Sequence, residues 1–187
     1  MSAQLQRLPQ PAIRLTRRLP GKQSERGASM VEFAIIISLL FLLVFGIVQF
    51  GIAFNRDNGI KAAAKEGARA ASVGGSEAEI TSRIRDTQSM FASDDIQVKI
   101  DYSTDNGTNY VMICNDATNT PHACDKDSGG TAPPSPCGVA SLGSLIRVTA
   151  TVPGTVGGGR YAIVIPFWGN AKITFVGDGV FRCENTT

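Results

Sequence analysis

Residues 33–54 read FAIIISLLFLLVFGIVQFGIAF, 22 residues without a charged side chain. As a helix this run is about 33 Å long at 1.5 Å per residue, close to the ~30 Å hydrocarbon thickness of a bilayer. A core helix of a soluble protein is rarely apolar on every face for so long. The run therefore predicts a transmembrane span. A cleaved secretory signal has a shorter apolar core followed by a small-residue cleavage site. Here Gln49, Phe50 and Phe54 stand where such a site would be.

The rest of the chain divides around this run. Residues 1–27 hold Arg7, Arg14, Arg17, Arg18, Lys22 and Arg26 against Glu25, a net charge of +5. With +2 for the whole chain, residues 28–187 carry −3. A basic arm beside a mildly acidic body argues against a nucleic-acid-binding domain and suits an anionic cytoplasmic leaflet. Pro9, Pro11 and Pro20 break helices, so 1–27 reads as a polar, disordered leader.

Beyond the run, the helical pattern continues with alanines and charges. Ile60, Ala63, Ala64, Ala68 and Ala71 share one face, and their small size permits close approach of a helix or sheet. Gly74 and Gly75 end this helix. Ser76 and Glu79 form a capping-box pair opening a second, amphipathic helix over 77–91, with Ile80, Ile84 and Phe91 on its apolar side. The period then changes to two: Ile96, Val98, Ile100 and Tyr102 predict a half-buried strand. Asp105, Asn106 and Gly107 turn it into a second strand over 110–114. Residues 115–143 read as a Cys-, Pro- and Gly-rich loop. Further strands are expected at 145–152 and 161–167, with a last hairpin pairing 172–176 and 180–183. A long helix followed by an antiparallel sheet is an α+β arrangement.

Cys114, Cys124, Cys137 and Cys183 all lie after the apolar run, and no C-x-x-C is present. The spacing gives no zinc or redox motif, and outside the cytoplasm two disulfides are the default, with three possible connectivities.

The segment RGASMVEFA places Gly27 five residues before Glu32, at the edge of the apolar helix. It resembles the processing site of type IV prepilins. It is most similar to the TadE-like family of minor, pilin-like proteins of tight-adherence (Flp) pili. That family's pattern of Val-Glu-Phe-Ala, Gly-x-x-x-Phe/Tyr-Gly and Ala-x-Glu-Gly-Ala-Arg-Ala-Ala is matched by Val31 to Ala34, Gly46 to Gly51 and Ala64 to Ala71. The resemblance covers about residues 25–75.

The resemblance implies cleavage between Gly27 and Ala28 by a membrane prepilin peptidase, giving a mature chain of 160 residues that starts at Ala28. Glycine at the scissile bond lets the protease approach the backbone closely. Glu32, beside Phe33, becomes the fifth mature residue. The resemblance gives it the role of pairing with a neighbour's N-terminal amine, so that helices associate in register. Gly46 and Gly51 are candidate helix-packing positions. Arg56, Lys61, Lys65 and Arg69 offset the positive-inside signal of the leader, so orientation rests on the cysteines and the leader motif. Three segments are expected: a cleaved cytoplasmic leader (1–27), a transmembrane and extended pilin-like helix (28–75), and a disulfide-stapled periplasmic or extracellular α+β domain (76–187).

The expected function is that of a minor pilin or pseudopilin in assembly, initiation or tip formation of a tight-adherence pilus, at the bacterial inner membrane. Its partners would be the prepilin peptidase, other pilin-like subunits and the inner-membrane assembly platform. Neither nucleic acid nor a cofactor or metal is expected, and no enzymatic activity. The alternative is an uncleaved signal-anchored protein with an extracytoplasmic binding domain. A membrane-tethered hydrolase would need an acid/base or nucleophile set, which the sequence lacks.

Weaker signals read as structural. Gly157 to Gly159 with Arg160 lack the Lys-Ser/Thr of a phosphate loop and read as a strand connection. His122 reads as an exposed loop residue. Residues 101–109 and 125–130 lack EF-hand spacing. Asn106 and Asn185 match glycosylation sequons by chance. Glu77, Glu79, Asp94 and Asp95 read as a solvated face.

Overall fold

The structure, a computed structural model, describes residues 23–118, 123–124, 135–155, 161–165 and 169–184. The chain divides into two compact units, 1–43 and 44–187. The first helix, α1, runs Gln23–Ser72. It takes in the last five residues of the segment expected to be a disordered leader, because Gln, Ser, Glu and Arg after Pro20 and Gly21 all tolerate helix. In the first unit, 27–43 are exposed apart from Ile37, which is partly covered. The helix from Gly27 is long and apolar enough to cross a membrane, with none of its most apolar stretch buried.

The second unit contains an α+β domain. Ser72 ends α1, and Gly74 adopts a left-handed φ of 91°. Its N–H donates to Ala71 O and the N–H of Gly75 to Ala70 O. These bonds satisfy carbonyls the helix would otherwise leave open. Helix α2, Glu77–Thr87, is capped by Ser76, whose hydroxyl accepts the N–H of Glu79 at 3.2 Å. It stops four residues earlier than the apolar spacing predicts. Gln88 is buried against Gly59 of α1 in an extended conformation, and its Oε1 accepts the N–H of Met90. Phe91 is still buried, but it reaches the core from a turn, edge-on to Tyr161 at 4.7 Å and beside Phe175.

A short 3₁₀ turn, Ser93–Asp95, leads into β1, Gln97–Ser103. The main sheet is antiparallel in the order β2-β1-β3-β6, with β2 Val111–Asn115, β3 Leu145–Val152 and β6 Phe175–Arg182. Asn106 and Gly107 turn β1 into β2 at φ 58° and 90°. Positive φ at both central positions is what a tight turn between right-twisted strands requires. Asp105 braces this turn, its carboxylate accepting from Ser103 Oγ, Asn109 N–H and Asn109 Nδ2. These bonds hold its pKa down at about 2.

Three expectations change here. The 115–143 segment contains a helix, α3, Pro136–Ala140, with Ser135 as N-cap and Pro136 at its first position. The expected 161–167 strand shortens to β4, Ile163–Ile165, paired with β5, Gly169–Ala171, in a separate two-stranded sheet. The expected last hairpin is instead one continuous strand, β6, paired with β3 along its whole length from Leu145↔Arg182 to Val152↔Phe175. Gly177, Asp178 and Gly179 do not turn, because their neighbours complete the β3 ladder.

One sheet face is apolar. Val98, Ile100, Ile146, Val148, Ala150 and Val152 are all 1 % exposed or less. The other face is polar. There the buried Asp101 accepts from Arg147 at 2.6 and 3.1 Å and pairs with Lys99, while the Arg147 guanidinium lies 3.8 Å over the Tyr110 ring. The disulfides are Cys114–Cys124 and Cys137–Cys183.

Candidate functional site

The residues that carry the family resemblance lie along α1, and they fall into two sets. Gly27, Ala28, Glu32 and Phe33 are all helical and exposed, Phe33 at 63 %. Among the described residues, nothing outside the helix itself approaches the position a Cβ would occupy on Gly27, Gly46 or Gly51. Within the apolar run, Ser38 donates its hydroxyl to Ala34 O at 2.7 Å, satisfying itself inside the helix.

The second set, 64–71, faces the α+β domain. Ala64, Ala68 and Ala71 are 0 % exposed, as are Ile60 and Ala63. This is the face that the helical spacing picked out. What it packs on explains its small residues. A Cβ on Gly177 would strike the backbone of Ile60 and Lys61, and one on Gly179 the backbone of Ala64 and Lys65. The helix backbone therefore rests directly on β6, with residues four apart on α1 meeting residues two apart on the strand. On the adjacent side of α1, a Cβ on Gly67 would lie 2.6 Å from Ile84 of α2. The Ala-x-Glu-Gly-Ala-Arg-Ala-Ala segment thus clamps the helix between α2 and the sheet. Lys65 and Arg69 stay exposed.

Residues 27–69 match the family model described as TadE-like protein. The matched TadE-like segment begins at Gly27 and ends just after the glycine that receives α2. It takes in the first residue set and the second as far as Arg69, and leaves the sheet outside. No curated protein and no solved structure matches the chain.

Several functional positions were not singled out from the sequence. Gly177 and Gly179 were expected in a turn, although two glycines alternating with Val176, Asp178 and Val180 are the mark of a strand approached closely by another backbone. Asp116 is a second case. Its Oδ1 accepts the N–H of Cys124 at 2.7 Å, and its Oδ2 accepts from Val98 N–H and from Arg85. It ties α2, β1 and the Cys114–Cys124 loop together, and no local spacing points to it. Glu77 was read as solvated, but it is 1 % exposed in the first turn of α2, where the helix's positive end favours a carboxylate. Asp95 likewise accepts the hydroxyl of Tyr161 at 2.7 Å.

Of the two acidic loops compared with calcium sites, the carboxylates of Asp101 and Asp105 are engaged as described above. Among the described residues no group of three or more His, Cys, Asp or Glu is arranged to hold a metal. The second loop, 125–130, lies outside the described residues, as do His122, Gly157 to Arg160 and Asn185. Residues 1–22 of the leader lie outside them too.

Proposed function

We propose that this protein is a minor pilin or pseudopilin that acts in assembly, initiation or tip formation of a tight-adherence pilus. The observation that carries the reading is the match of residues 27–69 to the TadE-like family model, which starts at the glycine of the processing motif. In this reading α1 spans the inner membrane once, with the leader cytoplasmic and the α+β domain outside. Both disulfides fit an oxidising compartment.

A prepilin peptidase cuts after Gly27. That bond lies in the first turns of α1, so the peptidase must unwind the helix end to reach it. Glycine lowers the cost by about 1 kcal/mol relative to alanine. The new amine of Ala28 then meets Glu32 of a neighbouring subunit. Separating this pair would leave a charge unpaired near lipid, which favours helices in register. Gly46 and Gly51 admit the neighbouring helix. The protein works through assembly with other pilin-like subunits and the membrane platform rather than through catalysis.

The test is the intact mass of the membrane-purified protein, with and without the cognate peptidase, and for a Gly27→Leu variant. A mature start at Ala28 that disappears in both controls supports the reading. A full-length chain in all three leaves an uncleaved, signal-anchored binding domain.

A further inference from the structure

The apolar run and the folded domain leave no linker between them. The run ends at Phe54, and at about 33 Å it barely exceeds the ~30 Å of hydrocarbon it must cross. Phe54 therefore sits near the hydrocarbon boundary if α1 spans the bilayer. Yet the next residue already contacts the rest of the domain. Asn55 Nδ2 reaches Met90 Sδ at 3.6 Å, and the Arg56 guanidinium lies 5.3 Å over the ring of Tyr161. Gly59 receives Gln88, and Ile60 is already fully buried.

Along the helix, Asn55 and Arg56 stand about 1.5 and 3 Å beyond Phe54. The polar layer on each side of the hydrocarbon is about 5–7 Å deep. The residues touching Asn55 and Arg56 thus start inside that layer. They are chemically suited to it. Met90 is 42 % exposed and apolar, as are the exposed Phe50, Ile52 and Phe54 of α1. Tyr161 is held by Ala92 N–H and Asp95, and its ring faces the Arg56 guanidinium.

We propose that this base of the ectodomain, Asn55, Arg56 and Met90 backed by Tyr161, rests in the phospholipid headgroup layer of the membrane that α1 spans, with Met90 against lipid and Arg56 at the phosphates. The proposal rests on the membrane-spanning reading of α1. It gives the domain a fixed stance on the bilayer, because no flexible segment separates base from span.

The opposite end of the domain supplies a control. Gly143 N–H bonds Cys183 O, and Glu184 N–H bonds Ser72 O, which places this loop beside the last turn of α1. Ser72 is 18 residues past Phe54, about 27 Å along the helix. Leu142 in this loop is 65 % exposed.

The experiment uses the full chain, one copy per phosphatidylcholine/phosphatidylglycerol nanodisc. Single cysteines replace Val44, Met90 or Leu142 and carry an environment-sensitive fluorophore. All four native cysteines are paired, so labelling is selective. Nitroxide lipids labelled at the headgroup or mid-chain then quench by depth. The expected result is loss of Val44-label fluorescence to mid-chain nitroxide, loss of Met90-label fluorescence to headgroup nitroxide, and no loss at Leu142. A quenched Val44 label with an unquenched Met90 label would overturn the headgroup contact while leaving the span intact. Equal headgroup quenching at Met90 and Leu142 would also overturn it, since the domain would then lie on its side. An unquenched Val44 label would instead remove the membrane reading itself.

Discussion

Replacing Gly179 by alanine is expected to destabilise the α+β domain, although alanine is the better residue in an open strand. Gly179 has no left-handed φ, so its backbone accepts a side chain. Were the site open, alanine would stabilise by about 0.4–1 kcal/mol by restricting the unfolded chain. The site is closed. The added Cβ would lie 2.8 Å from both the carbonyl carbon of Ala64 and the Cα of Lys65. Reaching an ordinary carbon contact of about 3.5 Å requires α1 and β6 to part by roughly 0.7 Å. Both obstacles are backbone, and no rotamer can yield. Overpacking of this kind costs about 1–3 kcal/mol.

The net effect is about 1–2 kcal/mol of destabilisation, a fall in Tm of about 3–6 °C for a domain of this size. The assay is thermal unfolding of the detergent-solubilised full chain by near-UV circular dichroism, which follows Tyr161, Phe91 and their packing. Val180→Ala on the polar sheet face, where Val180 is 45 % exposed, is the control and should change stability by about 0.5 kcal/mol or less. An unchanged or raised Tm for Gly179→Ala would refute the seating of α1 on β6, because only the unfolded-state term would remain.

Two further outcomes follow from the cross-links and the β1–β2 turn. Removing Cys137–Cys183, which spans 46 residues, should cost about 4 kcal/mol by loop closure, against about 3 for Cys114–Cys124, which spans 10; denaturant midpoints of the two double-serine variants give the order, and a reversed order would show that native-state packing outweighs chain entropy. Asp105 should titrate at about 2 in a carboxyl-carbon NMR experiment. Because its folded pKa is depressed, its support of the turn is complete above the unfolded value of about 3.9 and is lost as pH falls through about 2. In Asp105→Asn the Asn109 amide should exchange faster at neutral pH and lose this acid dependence.

Local rules reached far along this chain where one short stretch holds all the partners. Ser76 caps α2 through the N–H of Glu79, whose carboxylate pairs with Arg83 instead of closing the box, Gly74 ends α1, and Asn106 with Gly107 turns β1 into β2, each within four residues. The buried face of α1 was legible because Ile60, Ala63, Ala64, Ala68 and Ala71 share a helical spacing. The end of α2 was not legible. Phe91 keeps the apolar spacing, but Gln88 is captured by Gly59, almost thirty residues earlier. The Gly177 and Gly179 pair misled for a related reason. Glycine serves both a turn and a close backbone approach, and only the partner tells them apart. Asp116 carried no signal at all, since the groups it accepts from come from β1, α2 and the second cysteine of its loop.

The amino-acid sequence by itself determined that the chain has a membrane-length apolar helix, a TadE-like segment around it, an α+β body and four cysteines beyond the apolar run. All of these depend on composition and spacing within short windows. The tertiary structure alone decided which cysteines pair, that β6 is one strand, and that α1 is clamped against Gly67, Gly177 and Gly179. Those outcomes depend on groups far apart in the chain competing for the same space, and steric exclusion between backbones has no periodicity for a sequence to display.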